Sequence, residues 1–257
     1  MINVLGIPFF DRDIPAAVEL VLNDIVSGAA HGQNRCISAS GAHGLVEAHK
    51  DPAFKQLLQS FYLNLPDGMP VVWVGRLKGA KQMQRGYGPD FFKTMMIRSA
   101  DLPVNHFFCG GKEGVAEELK QKVAARFGNH RVVGTFCPPF REMTDAELQD
   151  LGEIIQRSGA NIVWIGLSSP KQEKLARRLA GFTQTGFLVA VGAAFDFHTD
   201  RVKQAPRWMQ QSGLEWLFRL FMEPKRLYKR YLEIVPGFIW LNIKEFLDFY
   251  TAKKNVL

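Results

Sequence analysis

An aspartate in a tight turn is the first candidate for chemistry in this sequence. Asp67 lies within residues 63–73, where an apolar stretch is followed by Pro-Asp-Gly and then by a second apolar stretch from Pro70. Proline is tolerated in the first turn of a helix, so the pattern predicts a strand, a turn and a helix. A carboxylate at a strand's carboxyl end lies where open α/β sheets bind ligands, and it is suited to general-base catalysis. A turn residue or helix N-cap is the alternative interpretation.

Polar side chains also follow two later predicted strands. Ser168 and Ser169 precede Lys171, Gln172 and Glu173, directly after the apolar residues 161–166. Five polar side chains at this position exceed what a helix cap requires, although Ser169 alone would serve as the cap. We therefore predict that Lys171, Gln172 and Glu173 contact substrate.

A second aspartate follows the predicted strand 186–191. Asp196 stands between Phe195 and Phe197. A carboxylate flanked by aromatic rings is partly desolvated and requires a polar partner. We predict that Asp196 also belongs to the substrate site.

Two glycines stand between a predicted strand and a helix. Gly110 and Gly111 occupy a position where backbone N–H groups and the helix dipole can hold a phosphate. Tight strand–helix packing would explain the same glycines. Cys109 replaces the first glycine of the dinucleotide fingerprint, and no acidic residue ends the strand at 132–136, which disfavours an NAD enzyme.

The sequence contains one formal metal–diphosphate motif. Asp11 and Asp13 form a D-x-D before the first predicted helix. A helix cap and an exposed carboxylate explain the pair without a metal ion. The three cysteines and six histidines show no metal-ligand spacing, and we predict neither a metal site nor a cofactor.

Strands and helices alternate over the first 200 residues. Apolar segments near residues 36–37, 63–66, 104–109, 131–136, 161–166 and 186–191 predict strands, and amphipathic segments between them predict helices. This alternation predicts an α/β fold with a doubly wound, mostly parallel, Rossmann-like sheet.

Composition agrees with a globular chain of 257 residues, 47% hydrophobic and 22% charged. No apolar run approaches the ~20 residues that span a bilayer. The amino terminus lacks the pattern of a signal peptide, and scattered cysteines indicate a reducing compartment.

The last quarter differs in character. Residues 201–257 contain 11 Lys and Arg against 5 Asp and Glu, a net +6 of the chain's +7. We predict a core domain over 1–204 and a helical appendage over 205–257, with helices at 214–231 and 237–250. A concentration of basic residues indicates an anionic partner.

Together these segments resemble the WecG/TagA/CpsF family of bacterial glycosyltransferases over roughly residues 1–235. The matching segments are Asp67-Gly68, Gly110-Gly111, residues 166–173, Phe195-Asp196-Phe197, residues 205–209, residues 213–220 and Glu223-Pro224-Lys225-Arg226. The resemblance implies inverting transfer of a sugar from a UDP-sugar to a polyprenyl-diphosphate-linked saccharide, at the cytoplasmic membrane face, in cell-surface polysaccharide synthesis.

The same resemblance implies roles for individual residues. Asp67 matches the proposed base, Gln172 the polar residue of the Pro-Lys-Gln-Glu run, and Arg85 an arginine before a Gly-x-Asp loop. The carboxy-terminal arginines fall on Arg219 and Arg226. Family members often have Thr-x-Asn where this chain has Ala39-Ser40-Gly41. Ser40 is then the side chain left to contact substrate, and the donor sugar and acceptor stay open.

Physical chemistry supports this interpretation. The departing UDP gains negative charge that a metal ion or cations must balance, and the arginine fork suits phosphate oxygens. Since no credible metal motif is present, we predict that transfer is independent of metal, and that Arg219 and Arg226, seven residues apart on one helical face, bind the diphosphate.

The appendage is also expected to dock on anionic lipid. The predicted apolar surface consists of Phe218, Leu220, Phe221, Leu227, Tyr231, Phe238, Ile239, Trp240, Leu241, Ile243, Phe246, Leu247 and Phe249. The predicted cations are Lys225, Lys229, Arg230, Lys244, Lys253 and Lys254. Packing of these aromatic residues on the α/β domain, or on a second subunit, is the alternative.

A basic protein with pI near 9.4 also raises nucleic-acid binding as a second function class. The helical spacing of the tail's aromatic residues with Leu, Ile and Met describes an apolar face more than a stacking surface. We therefore predict no nucleic-acid partner, and the sequence leaves a homo-oligomer open.

Overall fold

A sheet of six parallel strands forms the centre of the molecule. The computed structural model describes the backbone of residues 1–254 and the side chains of residues 1–248. In chain order the strands are β1 (Ile2–Val4), β2 (Ile7–Phe9), β3 (Arg35–Ser40), β4 (Leu63–Pro66), β5 (His106–Gly110), β6 (Val132–Phe136), β7 (Ile162–Gly166) and β8 (Phe187–Ala190). The central sheet has the order β4-β3-β8-β7-β5-β6, and each adjacent pair is parallel. All six carboxyl ends therefore meet at one edge.

Helices cover both faces of this sheet. The first nine are α1 (Ile14–Val26), α2 (Ala42–Lys50), α3 (Pro52–Gln59), α4 (Met69–Leu77), α5 (Gly88–Arg98), α6 (Val115–Phe127), α7 (Asp145–Ser158), α8 (Lys171–Leu179) and α9 (Ala194–His198). In β7, Ile162 and Trp164 pack with α1, α5 and α6, whereas Val163 and Ile165 pack with α7 and α8. A strand buried on both faces reads as a continuous apolar run, and this confirms the predicted doubly wound, Rossmann-like fold.

A short antiparallel hairpin at the amino terminus was not predicted. β1 and β2 pair through Ile2–Phe9 and Val4–Ile7. Each strand has only three residues, too few for an alternating pattern to be recognised. Val4, Ile7 and Phe9 are buried against α3 and α4, so tertiary packing stabilises the hairpin.

Three helices complete the described chain: α10 (Arg207–Gln211), α11 (Glu215–Met222) and α12 (Pro224–Lys254). The predicted helices at 214–231 and 237–250 are wrong in their boundaries. The chain breaks at Glu223 because Pro224 begins a new helix, a position that proline favours. α12 then continues through Pro236, where sequence alone suggested an end. Packing of Ile234 and Phe238 on either side holds the helix together.

α12 lies against the α/β core, and this corrects part of the lipid-facing prediction. Leu227 and Phe238 are buried, Phe238 in a cluster with Leu45 and Val46 of α2. Large apolar side chains do remain exposed on the tail: Phe221, Met222, Leu232, Ile239, Trp240, Ile243 and Leu247. The side chains of Phe249, Lys253 and Lys254 lie outside the described residues. Among the helices described, none is long and apolar enough to cross a bilayer.

Candidate active site

Asp67 occupies the turn between β4 and α4, at the carboxyl edge of the sheet. Its backbone N–H donates to Ser40 O at 3.1 Å, which ties the turn to the end of β3. Its Oδ1 accepts the Gly88 N–H at 2.9 Å. Gly68 is the N-cap of α4, and Asp67 accepts no hydrogen bond from that helix. The N-cap interpretation of Asp67 is therefore wrong. The Gly88 N–H holds one carboxylate oxygen, Oδ1, and leaves the other available for a further hydrogen bond.

The surroundings of Asp67 favour a carboxyl group that can exchange a proton near neutral pH. Burial raises the pKa of Asp67 to about 6. The Arg85 guanidinium and the Gly88 N–H lower the pKa, while the Glu215 carboxylate raises it and Arg219 lowers it. A base with a pKa near the working pH is the efficient choice for general-base catalysis.

Arg85 connects this turn to the carboxy-terminal helices. Its Nε donates to the backbone oxygen of Asp67 at 2.7 Å, and its Nη1 donates to Gln210 of α10 at 3.1 Å. Nη2 forms an ion pair with Glu215 of α11. The guanidinium lies 3.9 Å from the centre of the Tyr87 ring. Arg85 thus holds α10 and α11 over the edge where Asp67 lies.

Two arginines of the tail carry buried donors that no described residue accepts. They are Nε of Arg219 in α11 and Nε of Arg230 in α12. Arg219 lowers the pKa of both Asp67 and Tyr231, so it lies close to each. A buried guanidinium N–H without an acceptor is costly, so each of these donors is a candidate partner for an anion.

Arg219 and Arg226 do not share a helix, which corrects the sequence prediction. α11 ends at Met222 and α12 begins at Pro224, so their separation of seven residues does not place them on one helical face. Both nevertheless lie close to Arg230. Arg226 is exposed and makes two hydrogen bonds to Glu223, at 2.6 and 2.7 Å.

A buried polar network lies beneath the cleft. Ser40 Oγ and Ser38 Oγ are 2.8 Å apart, and Ser38 donates to Glu173 Oε1 at 3.0 Å. Gln172 donates to the same oxygen at 2.9 Å and accepts the Gly192 N–H at 2.8 Å. The predicted residues Ser40, Gln172 and Glu173 therefore come together, linking the ends of β3 and β8 to α8.

Burial in this network alters the acidity of Glu173. Burial raises the pKa of its carboxyl group, and the hydrogen bonds from Gln172 and Ser38 lower it. Glu173 is fully buried and Gln172 nearly so. Through Ser38 and Gly192, these two side chains hold the ends of β3 and β8 in place.

Asp196 and Lys171 lie apart from Asp67 in different surroundings. Burial raises the pKa of the half-buried Asp196, while Arg201 and Lys112 lower it. Glu223 and Arg226 also act on it, so Asp196 lies near the first turn of α12. Lys171 is exposed, with its Nζ 4.8 Å from the centre of the Phe140 ring.

Backbone packing accounts for both Gly110 and Gly111. Their φ angles of 148° and 75° favour glycine. A Cβ at Gly110 would lie 2.5 Å from Gly166 O, and one at Gly111 would lie 2.7 Å from Val115 Cβ. The packing interpretation is sufficient, and whether a phosphate also binds here stays a prediction.

Both aspartates of the D-x-D motif have structural roles. Asp13 caps α1 by accepting the Ala16 N–H at 3.0 Å, and Asp11 forms an ion pair with the Met1 amino group. Within the described residues, no three His, Cys, Asp or Glu side chains are grouped to hold a metal ion.

Sequence reasoning missed three residues near the Asp67 turn and the tail arginines, His43, Tyr87 and Glu215. It assigned a fourth, Arg230, to the lipid surface, whereas the structure places it half-buried near Arg219 and Arg226. His43 lies in the first turn after β3, the same kind of position as Asp67, and that rule would have found it. Burial and the nearby Arg230 lower the pKa of His43 to about 4. Burial also raises the pKa of the Tyr87 phenol. Glu215 and Arg230 carry no local signal, because only the packing of α11 and α12 places them.

The cleft therefore combines one carboxylate of raised pKa with buried arginine donors across from it. Such a pairing suits removal of a proton from one group while negative charge develops on another. The model of the family described as glycosyl transferase WecG/TagA/CpsF matches residues 2–252. The chain belongs to this family.

Family membership decides between the two function classes that the sequence raised. The protein is a glycosyltransferase of cell-surface polysaccharide biosynthesis, with a sugar donor and an acceptor as substrates. The basic tail is thus part of a glycosyltransferase. At the departure Ala39-Ser40-Gly41, the Ser40 backbone oxygen accepts the Asp67 N–H, and the Ser40 hydroxyl lies 2.8 Å from Ser38 Oγ.

The raised pKa of Asp67 predicts an acidic limb in the pH profile. A general base acts when deprotonated, so kcat/KM should be constant above about pH 6 and fall about tenfold per pH unit below it. Initial rates between pH 4.5 and 8 measure this limb. A parallel urea-unfolding series over the same range would show whether the fold persists. A limb centred at the ordinary aspartate pKa would contradict the assignment.

Proposed function

We propose that the protein transfers a sugar from a UDP-sugar to a polyprenyl-diphosphate-linked saccharide, with inversion at the anomeric carbon. The observation that carries the proposal is the Asp67 carboxyl of raised pKa together with the nearby Arg219, whose buried Nε has no acceptor among the described residues. The family assignment supports a glycosyl donor and acceptor.

In this mechanism Asp67 takes the proton of the acceptor hydroxyl. The hydroxyl oxygen attacks the anomeric carbon from the face opposite UDP, and the bond from that carbon to the β-phosphate oxygen breaks. A carboxylate held in position by the Gly88 N–H is oriented for this transfer. Attack opposite the leaving group inverts the anomeric configuration.

The leaving diphosphate is proposed to meet arginines and not a metal ion. Arg219 and Arg226 are the proposed ligands, since a guanidinium can donate two parallel hydrogen bonds to phosphate oxygens. Binding of the diphosphate would give the buried Nε of Arg219 the acceptor that it lacks. Arg226 would first exchange its partner Glu223 for phosphate oxygens.

Other residues are proposed to shape the donor and acceptor sites. Around Asp67 these are Ser40 and Arg85, and farther along the sheet edge they are Gly110, Gly111, Lys171, Gln172, Glu173 and Asp196. Arg85 acts by holding α10 and α11 over the cleft. Gln172 and Glu173 act by fixing the strand ends beneath it.

The activity test is UDP release from a panel of UDP-sugars by the purified protein, supplied with a lipid-linked saccharide acceptor. We expect release with one donor class and unchanged rates in EDTA, because arginines supply the positive charge. The same assay with added Mn²⁺ or Mg²⁺ is the matched comparison. Complete loss of activity in EDTA that either ion restores would contradict the arginine mechanism.

We also propose that residues 205–257 form an appendage that docks on the inner face of the cell membrane. Leu232, Ile239 and Ile243 are exposed along one side of α12, at spacings of seven and four residues. Lys225, Lys229 and Lys244 are exposed on the same helix. An amphipathic helix with basic residues lies in the lipid interface, and each cation near an anionic surface is worth about 1 kcal/mol.

This docking predicts a specific loss in a vesicle assay. The double substitution Leu232→Gln with Ile243→Gln should reduce co-sedimentation with vesicles of phosphatidylglycerol and phosphatidylcholine. UDP binding should be unchanged, because neither side chain lies in the cleft. Val26→Gln with Leu77→Gln, exposed apolar residues of α1 and α4, is the matched control. Equal co-sedimentation of the two double variants would argue against docking through α12.

A further inference from the structure

An apolar groove runs between α2 and α12, outside the cleft around Asp67. Its volume is about 260 Å³. Its walls include Val46 and Lys50 of α2, and Glu233, Gly237, Trp240 and Lys244 of α12. Leu241 and His49 complete the lining. Along α12 the charged residues Glu233 and Lys244 stand at the two ends of the stretch, with Gly237, Trp240 and Leu241 between them.

Glycine at one position keeps the groove open. Gly237 faces Val46, and a Cβ placed on Gly237 would lie 3.6 and 3.7 Å from the two Val46 methyl groups. That is ordinary contact, so alanine would fit, whereas a larger side chain would fill the space. Glycine in a helix interior is destabilising by roughly 0.5–1 kcal/mol relative to alanine, and the open groove is what this position provides.

The groove follows the axis of α12. Glu233, Gly237, Trp240 and Lys244 recur at intervals of three or four residues, which places them along one side of the helix. At a rise of 1.5 Å per residue, the eleven steps from Glu233 to Lys244 cover about 16 Å. The groove is therefore long enough for an extended chain.

One end of the groove adjoins the arginine-lined cleft. Glu233 lies one turn beyond Arg230, whose buried Nε lacks an acceptor among the described residues. His43 lies close to Arg230 and also to Lys50 and Glu233. Lys50 and Glu233 form an ion pair at this junction. An anion held by Arg230 would thus lie beside the entrance to the apolar groove.

We infer that this groove binds the first isoprene units of the acceptor lipid, with the acceptor's diphosphate at Arg230. The inference rests on the proposed function and adds to it a site for the lipid portion of the acceptor. A prenyl diphosphate has an anionic head joined directly to a slender apolar chain, which matches cations followed by an apolar groove. The exposed side of α12 with Leu232 and Ile239 remains available to the membrane.

The test compares farnesyl diphosphate, below its micelle concentration, with inorganic diphosphate. Binding to the full chain is measured by calorimetry and by Trp240 fluorescence against a Trp240→Phe reference. Burial of two or three methylene groups is worth about tenfold or more in affinity, so farnesyl diphosphate should bind at least about tenfold tighter. Gly237→Leu should abolish this preference and leave the affinity for inorganic diphosphate unchanged.

Two matched variants separate the groove from its surroundings. Gly237→Ala should fold and keep the preference, because its methyl group makes only ordinary contact with Val46. Leu232→Gln, on the exposed side of α12, should keep it as well. Loss of the preference in Leu232→Gln would place the isoprene chain on the exposed face of α12 and overturn the proposal that the groove binds it.

The remaining outcomes distinguish the groove from the proposed function. Equal affinity of the wild-type protein for farnesyl diphosphate and inorganic diphosphate contradicts prenyl binding in the groove but is still consistent with the proposed diphosphate site. Failure to bind farnesyl diphosphate, inorganic diphosphate and UDP overturns both. Dihexanoyl phosphatidylglycerol is the competitor for a bulk lipid. If it displaces farnesyl diphosphate at equal concentration, the groove holds membrane lipid and the assignment to the acceptor is wrong.

Discussion

Replacement of Asp67 by asparagine is expected to lower the transfer rate by about 10²–10⁴-fold, the contribution typical of a positioned general base. The amide oxygen of asparagine can still accept the Gly88 N–H, so the turn should keep its shape. Asparagine cannot accept the acceptor's proton. The affinity for UDP should be unchanged or higher, since a negative charge near the diphosphate has been removed. Single-turnover rates and UDP calorimetry measure the two quantities.

The matched control for Asp67→Asn is Asp90→Asn. Asp90 is an exposed carboxylate in the first turn of α5, two residues after the Gly88 that binds Asp67. Its substitution removes the same charge close to the Gly88 that binds Asp67 and should leave turnover near the wild-type value. The acidic limb near pH 6 should also vanish in Asp67→Asn and persist in Asp90→Asn. Near-normal turnover in Asp67→Asn would exclude Asp67 as the base.

The sequence predicted the sheet well because each strand carries its own signal. The run Ile162–Gly166 is apolar on both faces, and only a strand covered by helices on both sides buries such a run. The capping box Thr144–Glu147 is an equally local signal in the sequence, and both of its hydrogen bonds are present at the start of α7. These signals are local, so no knowledge of the tertiary structure was needed.

The tail was predicted less well because its boundaries depend on packing. Proline in a helix interior normally indicates an end, yet α12 passes through Pro236 because Ile234 and Phe238 pack in the core. The break at Glu223 separates Arg219 from Arg226 and removes the basis for placing them on one helix. Arg226 lies one turn before Arg230 within α12. Arg219 approaches Arg230 only through the packing of α11 on α12, which no spacing in the sequence encodes.

The candidate site shows the same division. Strand ends pointed to Asp67, Gln172 and Glu173, because the carboxyl ends of parallel strands share one edge, and the family resemblance added Ser40. Their partners came from distant parts of the chain. Glu215 pairs with Arg85 across 130 residues, and nothing near either residue predicts the other. When a separate helical segment completes a site, the sequence therefore predicts the residues at the strand ends and not their partners on that segment.

Arg219 is the tail residue with the largest expected effect on turnover. Its Nε is buried and donates to no described residue, and it lies close enough to Asp67 to lower the pKa of that carboxyl. Deletion of the whole tail would be a poor test, because α12 buries Leu227, Ile234 and Phe238 in the fold. A single substitution removes the guanidinium and leaves this packing in place.

Arg219→Ala is expected to reduce kcat by about 10²–10³-fold, the usual cost of removing one preorganised donor to a developing negative charge. UDP should also bind more weakly, since the product diphosphate keeps that charge. Arg219→Lys should recover part of the rate, because an ammonium retains the charge and loses the two-pronged geometry. Lys225→Ala, an exposed cation in the first turn of α12, is the matched control and should leave both quantities near wild type. Wild-type turnover in Arg219→Ala would mean that another group, or a metal ion, stabilises the departing UDP.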